Sequence, residues 1–181
     1  MFSEELYERF KENLEGVNGE CVRTSRDELG KTIADIYQKD GISSLCLGQS
    51  PLFEAAGVKA ALESAGMTVH TDHVRKNAET DKGGVTENGY GIAELGSMMQ
   101  MSDDVDGRII ATMSEHYIGV VKGSTIVPLY DDMFDILSEM SELPAYVGFI
   151  TGPSRTADIE CVGTVGVHGP IKLTAVIVDD A

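Results

Sequence analysis

The sequence predicts an α/β fold, a three-layer sandwich in which helices cover both faces of a mostly parallel sheet. Alternation is the first observation behind this: short apolar runs that read as strands take turns with segments carrying apolar residues at helical spacing. Connectivity is the second, because strands separated by helices need crossover connections, and these set neighbouring strands parallel. The third is continuity. The 181 residues contain no internal repeat, low-complexity tract or proline- and serine-rich linker, so a single domain over 1–181 is expected.

In order along the chain, Leu6, Phe10, Leu14 and Val17 recur at helical spacing behind an acidic first turn and predict a helix from Ser3 to Val17. ECVRT (20–24) is a strand. Ser25 and Glu28 form a capping-box pattern ahead of Leu29, Ile33, Ile36 and Tyr37, and Asp40-Gly41 stops that helix. SSLCLG (43–48) reads as a buried strand; Pro51 then opens an alanine-rich helix, LFEAAGVKAALESAG (52–66), that ends at Gly66. MTVH (67–70) is the next strand, and the polar, glycine-rich residues 72–90 read as a loop or lid. HYIGVV (116–121) is a strand, YDDMFDILSEM (130–140) a helix and AYVGFIT (145–151) a strand. A helix opened by GPSRT follows, with Ile159, Val162 and Val165 facing inward, and IKLTAVIVDD (171–180) closes the chain as a strand.

Charge excludes whole classes of function. With 14 basic against 30 acidic residues, the net charge of -16 repels phosphate backbones and anionic lipid headgroups, which argues against nucleic-acid and membrane-surface roles. MFSEELYERF carries no basic stretch leading into an apolar run, and no window reaches the roughly 18 apolar residues of a membrane span, so a cytoplasmic location is expected without membrane insertion. Cys21, Cys46 and Cys161 are widely spaced and suit reduced core positions. His70 and His73 lack further ligands at metal spacing. No metal site and no cofactor held by this chain alone are expected.

Ligands in open α/β sheets collect beyond the C-terminal strand ends, where loops meet helix starts. TGPSRTADIECVGTVGVHGP (151–170) falls at such a place. Gly152, Ser154, Arg155, Thr156 and Asp158 there define a candidate ligand-binding loop, with a helix N-terminus and a guanidinium offered to a small anion. The alternative is a plain helix cap in which Arg155 pairs with Asp158 or Glu160. His168, in the glycine-flanked turn GVHGP, is a candidate for anion contact or proton transfer, or else a solvated turn residue. Glu87 and Glu94, among glycines in VTENGYGIAELGSMMQ (85–100), are the carboxylates available as nucleophile or base, with Glu94 also a candidate ligand contact, the alternative being solvated acids on a bent strand or turn. No dinucleotide fingerprint, phosphate loop or nucleophile elbow is present.

ERFKEN (8–13), GVTENGYGIAELGSMM (84–99), GPSRTADIE (152–160) and GVHGP (166–170) together resemble the lactate-utilisation (LUD) domain family, and within it the protein C group. The resemblance spans nearly the whole chain, although residues 40 to 80 match only in their α/β pattern. It implies a fold similar to the sugar-phosphate isomerase, glucosamine-phosphate deaminase and CoA-transferase superfamily. It also implies a role in oxidising L-lactate to pyruvate beside partner proteins that carry the iron-sulfur clusters, which suits a chain without closely spaced cysteines. Where the family has a segment like TGADYGIAETGT, this chain has TENGYGIAELGS: Thr86, Gly91, Ile92, Ala93, Glu94 and Gly96 are kept, while Glu87, Asn88 and Leu95 depart.

The expectation is therefore a lactate-utilisation component that binds a small anionic ligand near GPSRTADIE, with iron-sulfur proteins as partners and self-association left open. Two alternatives stand beside it. Glu87-Asn88-Gly89 resembles the Ser-Glu-Asn-Gly segment of CoA transferases, so a CoA-transferase-like or sugar-phosphate-converting enzyme using Glu87 or Glu94 is one. A ligand-sensing domain without catalysis is the other.

Overall fold

The computed structural model describes residues 2–157, 163–166 and 169–179. Its first half runs α1 (Glu4–Gly16), β1 (Glu20–Ser25), α2 (Leu29–Lys39), β2 (Ser44–Leu47), α3 (Pro51–Ala55), α4 (Val58–Ser64), β3 (Thr68–His70), α5 (Val74–Asn77) and β4 (Gly83–Asn88). The second half runs β5 (Tyr90–Ile92), β6 (Ser97–Ser102), α6 (Asp106–Met113), β7 (His116–Lys122), β8 (Ile126–Val127), α7 (Tyr130–Glu139), β9 (Tyr146–Ile150), β10 (Arg155–Ala157), β11 (Gly163–Val165) and β12 (Lys172–Asp179).

Local chemistry sets the early helices. Ser3 Oγ accepts the Leu6 N–H at 3.4 Å and caps α1, whose Tyr7, Phe10 and Leu14 form one buried stripe. Ser25 Oγ accepts the Glu28 N–H at 3.3 Å just ahead of α2, which buries Leu29, Ile33 and Tyr37. Six strands, all parallel, form the main sheet in the order β1-β12-β7-β4-β2-β3. Alternation along β12 explains the layering: Val176 and Val178 meet α2, α3 and α4, while Leu173, Ala175 and Ile177 meet α1, α5 and α6. Both faces are thereby dry, which is why these strands read as continuous apolar runs.

A second sheet, absent from the expectation, is inserted after β4. Its order is β8-β5-β6-β9, with β6 antiparallel to both neighbours and β5 parallel to β8. Helix α7 covers it through Met133, against Ile92 and Met99. The AYVGFIT strand (β9) belongs here as an antiparallel edge, not to the parallel sheet.

Three other expectations are corrected. The predicted loop or lid at 72–90 contains β4, a central and almost wholly buried strand. Its glycines mark close packing: a Cβ on Gly84 would overlap Ser114 Oγ and lie 2.8 Å from Ile110 Cγ2. The single helix over 52–66 is two helices, because Gly57 takes the left-handed conformation at φ 60° between α3 and α4. The helix after GPSRT is replaced by an antiparallel hairpin, with Arg155 opposite Val165 and Thr156 opposite Thr164. β-Branched Val165 favours that geometry. Val165, expected inward, is 54% exposed, and Ile159, Cys161 and Val162 lie outside the described residues.

Candidate functional site

Two clefts flank the second sheet and share one side chain, Gln100 of β6. The first, about 180 Å³, opens at the C-terminal ends of β2 and β4, where α/β sheets commonly take ligands. Glu87, Asp104 and Asp106 line it. Glu87 is held by Lys122 at 3.2 Å, from the neighbouring strand β7. Asp104 Oδ1 accepts the Gly107 N–H at 3.2 Å and so tethers the start of α6.

The second cleft, about 490 Å³, is built by α6, β9 and the 151–155 segment. Gly152 turns the chain at φ 71° where a Cβ would meet Val17 O at 2.8 Å, which pins the loop against the end of α1. Ser154 continues the pinning: its N–H donates to Pro170 O at 2.9 Å, and its carbonyl accepts the Gly166 N–H at 3.0 Å. Arg155 follows on the exposed side of the wall. Tyr146 of β9 also lines it, with the Arg108 guanidinium 5.1 Å from its ring centroid. No Asp or Glu lines this cleft among the described residues.

Between the clefts runs a buried polar chain. Tyr117 Oη lies 2.6 Å from Thr86 Oγ1 and accepts from Asn88 Nδ2 at 3.0 Å. Burial pushes the Tyr117 hydroxyl up to about 12, so it stays neutral. Gln100 Nε2 donates to Gly107 O at 2.9 Å and to Thr86 Oγ1 at 3.3 Å. Gln100 is 2% exposed, and its Oε1 has no hydrogen-bond partner among the described residues.

Several sequence candidates thus come together and others separate. Gly152, Ser154 and Arg155 share one cleft, and the backbone of Thr156 continues from it into the hairpin. The helix N-terminus expected to reinforce Arg155 is not there, and the Ser154 N–H is already committed to Pro170. Asp158 and His168 lie outside the described residues. Glu87 lines the other cleft, whereas Glu94 lines neither: its Oε2 accepts the Tyr130 N–H at 2.9 Å and caps α7. Leu95 also sits in that β5–β6 turn, away from both. His70 Nδ1 lies 2.6 Å from Asp81 Oδ2, which also accepts from the Cys46 thiol at 3.3 Å. Sequence reasoning missed Gln100 and Tyr146. Gln100 left one trace, a polar residue inside the apolar run SMMQM.

Known proteins resemble the chain along almost its full length. It is 32% identical to lactate utilization protein C of Geobacillus sp. (strain WCH70), covering 98% of this chain and 79% of that protein. It is 31% identical to lactate utilization protein C 1 of Bacillus mycoides (strain KBAB4), covering 98% of this chain and 80% of that one. A crystal structure of a DUF162 family protein from Deinococcus radiodurans superposes with a TM-score of 0.68 over 96% of both chains, at 19% identity, and shares the fold. The LUD domain model matches residues 7–178, taking in both sheets and both clefts, and the chain belongs to the LUD domain family.

Proposed function

We propose that this protein serves lactate utilisation, as a cytoplasmic component of a system that oxidises L-lactate to pyruvate. Partner proteins carry the iron-sulfur clusters in this reading, and the chain holds no cofactor of its own. Relatives named lactate utilization protein C, matched over 98% of the chain, support the role. Its contribution is to hold a small anion, a carboxylate or phosphate, in the Arg155 cleft.

One observation carries the ligand assignment: in a chain of net charge -16, this cleft is lined by an arginine and, among the described residues, by no carboxylate. A guanidinium fork matches a carboxylate with two parallel hydrogen bonds. Without a helix N-terminus behind it, that attraction comes from the side chain alone, so binding weakens as salt screens it.

Thermal unfolding with L-lactate, pyruvate, inorganic phosphate, ATP and CoA, on wild type and Arg155→Ala, tests the site. A ligand at a hundred times its dissociation constant stabilises the fold by about 2.7 kcal/mol, a rise of several degrees at this chain length. Arg155→Ala should abolish the rise; an equal rise in both proteins refutes the assignment. Affinity purification of the tagged protein should bring down iron-sulfur proteins. Unchanged growth on L-lactate after deletion would count against the role.

A further inference from the structure

Helix α7 is amphipathic, and one residue breaks its pattern. Tyr130, Met133, Ile136 and Leu137 pack into the cluster beneath the helix, and its exposed positions hold Asp131, Asp135, Ser138 and Glu139, with Phe134 as the exception. Phe134 is 47% exposed. In β9 the exposed position is likewise aromatic, Phe149 at 38%. Tyr130 joins the two: its ring centroid lies 5.0 Å from that of Phe134 and 5.3 Å from that of Phe149, edge-on to both. Three rings thus form one continuous patch on the α7 side of the second sheet. Contiguous exposed apolar surface of this kind marks interaction sites, and aromatic residues are enriched in them.

Charge selects the occupant. From 123 to 154 the chain carries no Lys or Arg, while Asp131, Asp135 and Glu139 lie exposed on the helix that presents Phe134. Tyr146, which holds the Arg108 guanidinium, is three positions from Phe149 and so points to the other face of the strand. A second copy docked through the same patch would bring the same acids against these, and nucleic acid or anionic lipid would be repelled as well. A protein surface with an apolar centre and a rim of Lys and Arg satisfies both the rings and the acids.

We propose that the Tyr130, Phe134 and Phe149 patch docks a partner protein through a basic-rimmed apolar face, and that this partner is the iron-sulfur protein of the proposed function. The proposal deepens that reading and rests on it. Phe149 also lines the Arg155 cleft, so the docked partner sits beside the bound anion.

The probe is the iron-sulfur protein that the tagged wild-type chain retains, purified and titrated by calorimetry against wild type and variants. Phe134→Ser should weaken binding at least about tenfold, as removal of an aromatic anchor does. Asp131→Asn combined with Asp135→Asn should also weaken it and flatten its decline with added salt. Both variants should keep the thermal shift given by ligand in the Arg155 cleft, which shows an intact fold. The paired Asn variant decides alone should Phe134→Ser not fold. Unchanged affinity in both variants overturns the docking surface and leaves the partnership standing. A wild-type dimer in sedimentation that Phe134→Ser dissociates makes a second copy the occupant and overturns the proposal. If wild type retains no iron-sulfur protein, the docking surface and the partnership both fall.

Discussion

At the scale of single residues, geometry reassigns side chains that chemistry alone makes conspicuous. The Glu94 carboxylate accepts the first N–H of α7, and Asn13 Nδ2 donates to the Glu94 carbonyl at 3.0 Å, so this residue ties α1, the β5–β6 turn and α7 together. Glu94→Ala should therefore lower stability by about 1 kcal/mol, the usual loss of a helix cap, and leave ligand affinity in the Arg155 cleft unchanged. Urea denaturation and calorimetry on the same preparation separate the two; weakened binding at unchanged stability would contradict the capping role. Tyr117→Phe makes the opposite kind of test. It strips a hydroxyl from between Thr86 and Asn88, both buried, and should destabilise by about 1–3 kcal/mol, read from the urea midpoint.

At the scale of elements, legibility follows from whether the signal is local. Helices α1, α2 and α7 and the strands β1, β2, β7 and β12 carry their apolar periodicity within the segment itself, and are readable. Strand β4 was not, because Gly83 and Gly84 look like turn residues until α6 and Tyr37 are packed against them. The β10–β11 hairpin misled for a related reason: Gly-Pro-Ser-Arg-Thr serves a helix start or a strand start equally well. Arg155 stands out in the sequence by its charge; Gln100 does not, since its unpaired Oε1 among the described residues is revealed only by packing. The α3–α4 break gives a measurable case. Gly57→Ala places a Cβ in a left-handed residue and should cost about 1 kcal/mol, although helix propensity alone predicts a gain. A stabilised variant would mean that one continuous helix forms over 52–66.

At the scale of the whole molecule, the two ends of the main sheet carry different burdens. The C-terminal strand ends open onto a cleft, while the N-terminal ends are closed by a buried network around His116. His116 is 2% exposed; its Nδ1 lies 2.8 Å from Asp40 Oδ2, its Nε2 2.9 Å from Thr174 Oγ1, and the Tyr37 ring packs against it edge-on. Lys172 Nζ lies 2.9 Å from Asp40 and 3.1 Å from Glu20, completing the charges that face the imidazole. Burial lowers His116 below its ordinary 6.5, and the Asp40 charge only partly opposes it. Burial would raise the Asp40 carboxyl, but the Lys172 hydrogen bond and the nearby imidazole hold it below 3.8.

Both shifts act in the same direction. Below pH 6.5 the unfolded chain protonates His116 before the folded one does, so stability falls as pH drops from 6.5 through the depressed folded value. The Asp40 contribution is present above 3.8 and is lost at still lower pH, as its own depressed value is crossed. Urea midpoints measured from pH 8 to 5 should hold steady to about 6.5 and then decline. His116→Gln, neutral throughout, should be less stable at pH 8 yet show a flatter decline below 6.5. An unaltered slope in that variant would free His116, and with it the base of the sheet, from any part in the acid sensitivity.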